Sequence, residues 1–169
     1  MSVQVPEFKF ALREDLKHQD GFFPSKADPD ATGWDVRCAE PDGIDLHNKE
    51  YHLIRLGFRM FCPKGWWVEL RPRSSSFAKK QLHALYGVID ENYEREVRFA
   101  FQYVAHQSHG PTCDIYIPPP RIAFGERIGQ LIPVRRQGMI TSGVSNEEFD
   151  SLCAERQGTR GTGGFGSTG

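Results

Sequence analysis

Long hydrophobic runs are missing from this sequence. No stretch approaches the roughly 20 apolar residues that a helical membrane span needs, so that class of protein is excluded. Charge of one sign is lacking as well: Lys+Arg number 21 and Asp+Glu 22, for a formal net charge of -1. The global attraction by which nucleic-acid-binding and membrane-surface proteins find their partners is therefore absent, and any basic chemistry is local. Cysteine is sparse, and Cys38, Cys62, Cys113 and Cys153 stand without a CxxC spacing. That argues against a zinc ribbon or a disulfide framework and for reduced thiols, several of them packed in a core. The opening MSVQVPEFKF has neither a basic n-region nor an apolar h-region. These absences predict a soluble protein of the cytoplasm, or of the host cytoplasm if a phage encodes it, with no nucleic-acid or membrane partner.

What is present fits one globular domain: 169 residues, 38% of them hydrophobic, with 17 Gly and 11 Pro as punctuation. Period-two alternation is clearest in Val97-Arg98-Phe99-Ala100-Phe101-Gln102-Tyr103, where the odd positions face a core. The same pattern predicts strands over Leu56–Met60, Trp66–Leu70, Ile115–Ile117 and Ile128–Ile132. Many short strands between turn signals predict an all-β sandwich or barrel. One good helix is expected, over 145–157, opened by the capping box Ser145-x-x-Glu148 and presenting Phe149, Leu152 and Cys153 on one face. A weaker turn or two, capped by Ser75 or Ser76, is expected through Phe77 to Leu82. Residues 158–169 carry six of the glycines and too little apolar surface to order themselves, which predicts a mobile tail.

Several motifs invite chemistry. Gly161-Thr-Gly163-Gly164-Phe165-Gly166 has the letters of a dinucleotide fingerprint, yet no strand-to-helix context surrounds it; what remains is a glycine-rich backbone able to fold over phosphate oxygens. His106, His109 and Cys113 lack a fourth ligand or a companion Glu, which argues against zinc. Asp28, Asp30, Asp42 and Asp45 sit among Pro and Gly, as in solvated loops. Arg71-Pro72-Arg73-Ser74-Ser75-Ser76 leaves a Trp-rich strand and enters a helical stretch, the chemistry either of an anion site or of a plain N-cap with surface arginines. Gly87 to Tyr93 reads as a tight turn after an apolar strand.

Taken in order, Ala31-Thr-Gly33-Trp-Asp35-Val-Arg37-Cys-Ala39, Pro72-Arg-Ser-Ser75, Gly87-Val-Ile-Asp90-Glu-Asn-Tyr93, Gly125-Glu-Arg-Ile-Gly-Gln130-Leu131 and Arg160 through Gly169 resemble the five motifs of the homotrimeric dUTPase family. Each is weak alone, and five in the family's order make coincidence a poor explanation. The resemblance implies a distorted jelly-roll β-barrel over 1–157, with one short helix, and a flexible glycine-rich arm over 158–169. It implies a homotrimer in which that arm closes a neighbouring subunit's active site, and Mg²⁺-dependent hydrolysis of dUTP to dUMP and pyrophosphate by water attacking the α-phosphorus.

Carried over residue by residue, Asp90 is implied to orient and deprotonate that water. Aspartate is a feeble base at neutral pH, so its effect comes mainly from placing the water in line. Arg73, Ser74, Ser75 and Gln130 are implied to hold phosphate oxygens and the waters around Mg²⁺, and Arg160 to clamp the γ-phosphate. Phe165, beside Gly166 and Ser167, is implied to stack over the base. Gly87, Val88 and Ile89 are implied to read the pyrimidine edge with backbone groups, and Tyr93 to exclude a 2'-hydroxyl. Arg98 falls where the family has a basic residue near the base. No protein group is implied as a direct metal ligand: the triphosphate holds Mg²⁺, with Asp35 and Gln130 at one remove.

The sequence also departs from the family. Ala84, six residues before Asp90, stands where many members carry an Asn that helps read the base, and Arg95 replaces a glycine. The connection from Tyr103 to Phe124 is longer than usual. Ala84 keeps open a pyrophosphatase for dCTP or a modified deoxypyrimidine triphosphate, with His83 or Tyr86 supplying a different contact. A related dCTP deaminase needs a Glu about ten residues beyond Asp90 to carry protons, and Ala100 stands there. A non-catalytic, nucleotide-dependent regulator is the remaining alternative, and it would not require the water-orienting acid.

Overall fold

The computed structural model describes residues 5–105 and 120–155. In chain order the described elements are β1 (Lys9–Leu12), a 3-10 turn (Glu14–Leu16), β2 (Trp34–Arg37), β3 (Ile44–Asp45), β4 (Tyr51–Arg55), β5 (Phe58–Phe61), β6 (Trp66–Pro72), α1 (Ser74–Lys80), β7 (Leu82–Ala84), β8 (Gly87–Ile89), β9 (Arg98–Tyr103), β10 (Arg121–Ile122), β11 (Arg127–Arg135) and α2 (Asn146–Glu155). All named strand pairs are antiparallel. The two larger sheets have the orders β2-β11-β6-β8 and β4-β9-β7, with the pairs β1-β5 and β10-β3 beside them.

Alternation selects most of the side chains these sheets bury, and a register irregularity between Arg127 and Gly129 lets both Ile128 and Leu131 of β11 turn inward. Phe99 and Phe101 of β9, Ile54 of β4, Val68 and Leu70 of β6, and Val36, Ile128 and Leu131 of the β2-β11 ladder join one apolar core. Fully burying side chains of this size contributes about 1.5–3 kcal/mol each, and it fixes register, because a slip by one residue would turn every core side chain outward. Cys38 and Cys62 are buried free thiols, whereas Cys153 is exposed.

The sequence expectations meet this architecture unevenly. The strands expected over Trp66–Leu70, Val97–Tyr103 and Ile128–Ile132 are β6, β9 and β11, the first and last of them longer than expected. The strand expected over Leu56–Met60 is broken at Gly57, whose φ of +78° ends β4 and starts a turn into β5. A side chain there would collide with Leu16 and Ala39, so Gly57 supplies both the left-handed backbone and the close approach. The stretch Ile115–Ile117 lies outside the described residues.

The expectation of a single short helix needs correction, because α1 is a second one. Neither Ser75 nor Ser76 caps it: Arg73 is the N-cap, in extended conformation, and Ser76 is buried and donates through Oγ to the Ile128 carbonyl at 3.0 Å. That bond ties α1 to β11. Asp45, expected in a solvated loop, lies on β3 and pairs with Arg121 at 2.6 Å.

The chain divides into two compact units, the first through Gln137 and the second from Gly138. In the second, α2 opens as the capping box requires, with the Glu148 N–H donating to Ser145 Oγ at 3.2 Å. The expected arm, 158–169, lies outside the described residues, as do His106, His109 and Cys113. No helix among the described residues is long and apolar enough to cross a membrane.

Candidate active site

The residues singled out in the sequence gather in two places. The first is built on the β2-β11-β6 ladder, where Asp35, Gln130 and Arg71 are successive cross-strand partners and therefore share one face. Arg73 follows at the end of β6, where the chain turns into α1. Asp35 is the hub: its Oδ1 lies 3.4 Å from Arg73 Nε, and its Oδ2 accepts from Arg127 Nη1 at 3.2 Å. The Asp35 side chain is 12% exposed, and those of Arg73 and Arg127 are 31% and 41% exposed. One carboxylate thus orients two guanidinium groups and leaves an excess positive charge facing outward, the arrangement that recognises phosphate oxygens. Ser74 and Ser75 begin α1 immediately beyond Arg73, and Ser74 is exposed.

Arg127 was not among the site residues expected from the sequence, although the fourth motif contains it. Its signal was the alternation of β11, which turns Arg127 away from its buried neighbour Ile128. Its partner lies far back in the chain, and spacing alone does not reveal it.

The second place is the turn after β8. Tyr93 N–H donates to the Asp90 carbonyl at 3.1 Å, closing the expected turn, and Tyr93 Oη donates to the Glu96 carbonyl at 3.1 Å. The ring is held at both ends. Glu96 is itself anchored, because its carboxylate accepts from Gly57 N–H at 3.0 Å. Asp90 is exposed, in a cleft of about 510 Å³ lined by Trp66, Trp67, Val88, Glu91, Asn92 and Arg136. Glu91 accepts from Gly65 N–H at 2.9 Å and faces Arg136 at 3.4 Å. Burial, with the Glu91 charge adding to it, pushes the Cys62 thiol up to about 11, so this cysteine is no nucleophile at neutral pH.

Gly87, Val88 and Ile89 form the edge strand of the four-stranded sheet, opposite Leu70, Glu69 and Val68. Ile89 is buried and Val88 exposed. An edge strand keeps one side of its backbone outside the ladder, available to pair with a ligand. Ala84 sits opposite Phe101 in the other large sheet and packs against the core. Arg98 is exposed at the start of β9, across from Arg55, and Arg95 is exposed. Of the two residues considered as substitutes for the missing Asn, His83 packs its ring edge against Phe77, and Tyr86 carries the Arg71 guanidinium 5.5 Å from its ring centre. Arg160, Phe165, Gly166 and Ser167 lie outside the described residues.

The two places are not adjacent within one chain. Asp90 adjoins the Trp67 end of β6, and Arg73 lies just past the other end, six residues on. At about 3.3 Å per residue that is a separation of about 20 Å along the strand.

No protein-family model matches the chain. Curated relatives do. The deoxyuridine 5'-triphosphate nucleotidohydrolase of Maricaulis maris (strain MCS10) is 30% identical over 159 residues, covering 91% of this chain and 92% of the relative. The protein of the same name from Wolbachia pipientis wMel is 29% identical over 171 residues, covering 99% of each. Among solved structures, the dUTPase of Staphylococcus bacteriophage 80alpha with dUpNHpp superposes with a TM-score of 0.74 at 21% identity, covering 98% of this chain and 99% of that one. A mutant dUTPase from phage phi11 of S. aureus, described with a structural Mg(II) ion, gives a TM-score of 0.67 at 19% identity over 83% of this chain and 97% of that one. The fold is shared across these structures, and the relatives extend over nearly the whole chain.

Proposed function

The chain belongs to the deoxyuridine 5'-triphosphate nucleotidohydrolase (dUTPase) family, and on that footing we propose that it hydrolyses dUTP to dUMP and pyrophosphate by in-line attack of water on the α-phosphorus. The observation that carries this reading is the pairing of Asp35 with both Arg73 and Arg127 beside Gln130, a preorganised anion site on rigid strands.

In this mechanism Arg73, Ser74, Ser75 and Gln130 bind phosphate oxygens, while Asp35 fixes the Arg73 fork through charge and position. Asp90 accepts a hydrogen bond from the attacking water and aims its lone pair along the line of displacement. The backbone of β8 pairs with the pyrimidine edge, and the doubly tethered Tyr93 ring fills the space that a 2'-hydroxyl would occupy. Arg98 supports the base end. Arg160 clamps the γ-phosphate, and Phe165, with Gly166 and Ser167, covers the base as the arm 158–169 closes.

Among the described residues no group of three or more His, Cys, Asp or Glu could hold a metal ion, and the Asp35 carboxylate is already engaged by two arginines. On this reading the cation would arrive chelated by the triphosphate, and Asp35 and Gln130 would meet its waters. Mg²⁺ so carried would neutralise phosphate charge and polarise the phosphorus under attack.

The separation of Asp90 from Arg73 along β6 supports a homotrimer with shared sites, in which one subunit supplies the arginine cluster, another the Asp90 turn and the arm of a subunit the lid. The reading goes with a place in the cytoplasm, the host's if a phage encodes the protein. A dCTP deaminase lacks its proton carrier here, since Ala100 lies on β9 between two core phenylalanines. A nucleotide-dependent regulator without catalysis would use the Asp35 cluster but leave Asp90 without a task. Only Ala84 favours a second reading, hydrolysis of another deoxypyrimidine triphosphate, because it offers the base no side-chain hydrogen bond.

Pyrophosphate release with Mg²⁺ from dUTP, dCTP, dTTP and UTP, with products separated by chromatography, tests the proposal. Release from dUTP alone is expected. Turnover of dCTP or dTTP instead would reassign the base, and no turnover of any of the four would return the weight to a binding protein.

A further inference from the structure

Gly33 is buried just before β2, two residues ahead of Asp35, and its backbone lies outside the left-handed region. Conformation does not demand a glycine there. Space does. A methyl group on Gly33 would stand 2.6 Å from Gln130 Oε1, 3.0 Å from its Cβ and 3.1 Å from its Cδ. Carbon atoms attract at about 3.5–4.0 Å and repel well inside that range. Gln130 Cβ is fixed by the β11 backbone, which is paired on both sides, to Asp35 and to Arg71. The strand cannot move away cheaply, so the contact with Cβ stays tight in any rotamer, and the contacts with Oε1 and Cδ are relieved only if the amide leaves its seat. The volume over Gly33 is thus a slot that the Gln130 side chain occupies beside the Asp35 carboxylate.

We propose that Gly33 is a positioning residue for the hydrolytic site: by lacking a side chain it seats the Gln130 amide beside Asp35, and so sets how Gln130 meets the phosphate end of the substrate. The inference rests on the dUTP-hydrolase reading of Gln130 and goes beyond it in assigning Gly33 a task that acts only through that side chain. Gly33 touches no substrate in this account.

The test is a double-mutant cycle of the full-length parent, Gly33→Ala, Gln130→Ala and the combined variant, read in kcat/KM for Mg·dUTP and in Tm. Gly33→Ala should lower kcat/KM about ten- to a hundredfold, the range for one hydrogen bond to a charged group, and match Gln130→Ala. The combined variant should be no slower than either single one. A general loss of fold would instead lower kcat/KM further in the combination. Parent-like activity in Gly33→Ala, or losses that multiply in the combined variant, would overturn the proposal. If Gly33→Ala does not fold, Gly33→Ala with Gln130→Gly decides, since that change removes all three contacting atoms: a folded pair supports the slot and an unfolded pair overturns it. Full activity in Gln130→Ala alone removes Gln130 from the site and overturns the proposal while dUTP hydrolysis stands, whereas a parent that does not turn over dUTP overturns the functional reading instead.

Discussion

Arg127 Nη1 donates to Asp35 Oδ2 at 3.2 Å across 92 residues of sequence, joining the start of β11 to the middle of β2. The same carboxylate holds Arg73 just past the end of β6, so one acid on β2 ties together the start of β11 and the end of β6. Both arginines lose their anchor if that charge is removed, and they then repel each other with nothing between them.

Asp35→Asn, which keeps shape and removes charge, should lower kcat/KM for dUTP about ten- to a hundredfold, in keeping with charge-assisted hydrogen bonds that orient a substrate-binding cation. Tm should change little, because the pairs are partly exposed. Steady-state kinetics beside a melting curve separate the two effects. Unchanged kcat/KM in a folded variant would remove Asp35 from the phosphate site.

Most of the β architecture was legible because burial imposes period two locally: Val97, Phe99 and Phe101 declare a strand without knowledge of their partners. Where packing is settled by distant residues, the pattern failed. Ser76 looked like a cap because serine often caps, but its hydroxyl is spent on the Ile128 carbonyl, 52 residues away. Leu56–Met60 looked continuous because its apolar spacing is regular, and only Leu16 and Ala39, pressing on Gly57, show why the chain must turn there. The site divides along the same line. All five of Asp90, Arg73, Gln130, Arg127 and Gly33 stand in motifs that can be read along the chain, but the importance of Arg127 and Gly33 comes from Asp35 and Gln130, through contacts visible only once β2 and β11 are paired.

Away from the site, Glu40 provides a pH-dependent term in stability. Arg55 donates to both of its carboxylate oxygens, at 3.0 Å from Nε and 2.6 Å from Nη2 to Oε2 and at 3.1 Å from Nε to Oε1. Hydrogen bonding by Arg55 holds the Glu40 carboxyl below its ordinary value of 4.5, against the cost of burial. A depressed folded pKa means that the stabilisation is complete above the ordinary value and lost as pH falls through the folded one. Glu40→Gln should therefore cost about 1 kcal/mol at pH 7, and its Tm deficit should shrink as pH drops below 4.5. Thermal melts of both proteins across that range decide it: a constant gap would mean that the carboxylate charge contributes nothing.

The glycine-rich arm gives a test of closure. A protein ending at Gly158 keeps every described element, so it should fold and assemble as the full chain does while binding dUTP weakly and turning over slowly, because Arg160 and Phe165 are gone. Size-exclusion chromatography and pyrophosphate release on the same sample give both readings. Full activity in the truncated protein would rule out the arm as a lid.

The separation of Asp90 from Arg73 along β6 leads to the most discriminating prediction. Asp90→Asn should abolish turnover while leaving nucleotide binding measurable, since the amide keeps the shape of the cleft but no longer accepts a proton from water. Arg73→Ala should fail differently, by losing phosphate binding. Were each active site built within one subunit, mixing the two inactive proteins could not restore activity, because no chain carries both groups. If each site draws its acid from one subunit and its arginine from another, co-refolding equal amounts creates sites with both residues intact, about a quarter of the total for random assembly. Pyrophosphate release from the mixture should accordingly rise to about a quarter of the parent rate. A mixture that stays as inactive as its components, with hybrid assembly verified by mass, would place Asp90 and Arg73 of the same chain in one site and exclude the shared arrangement.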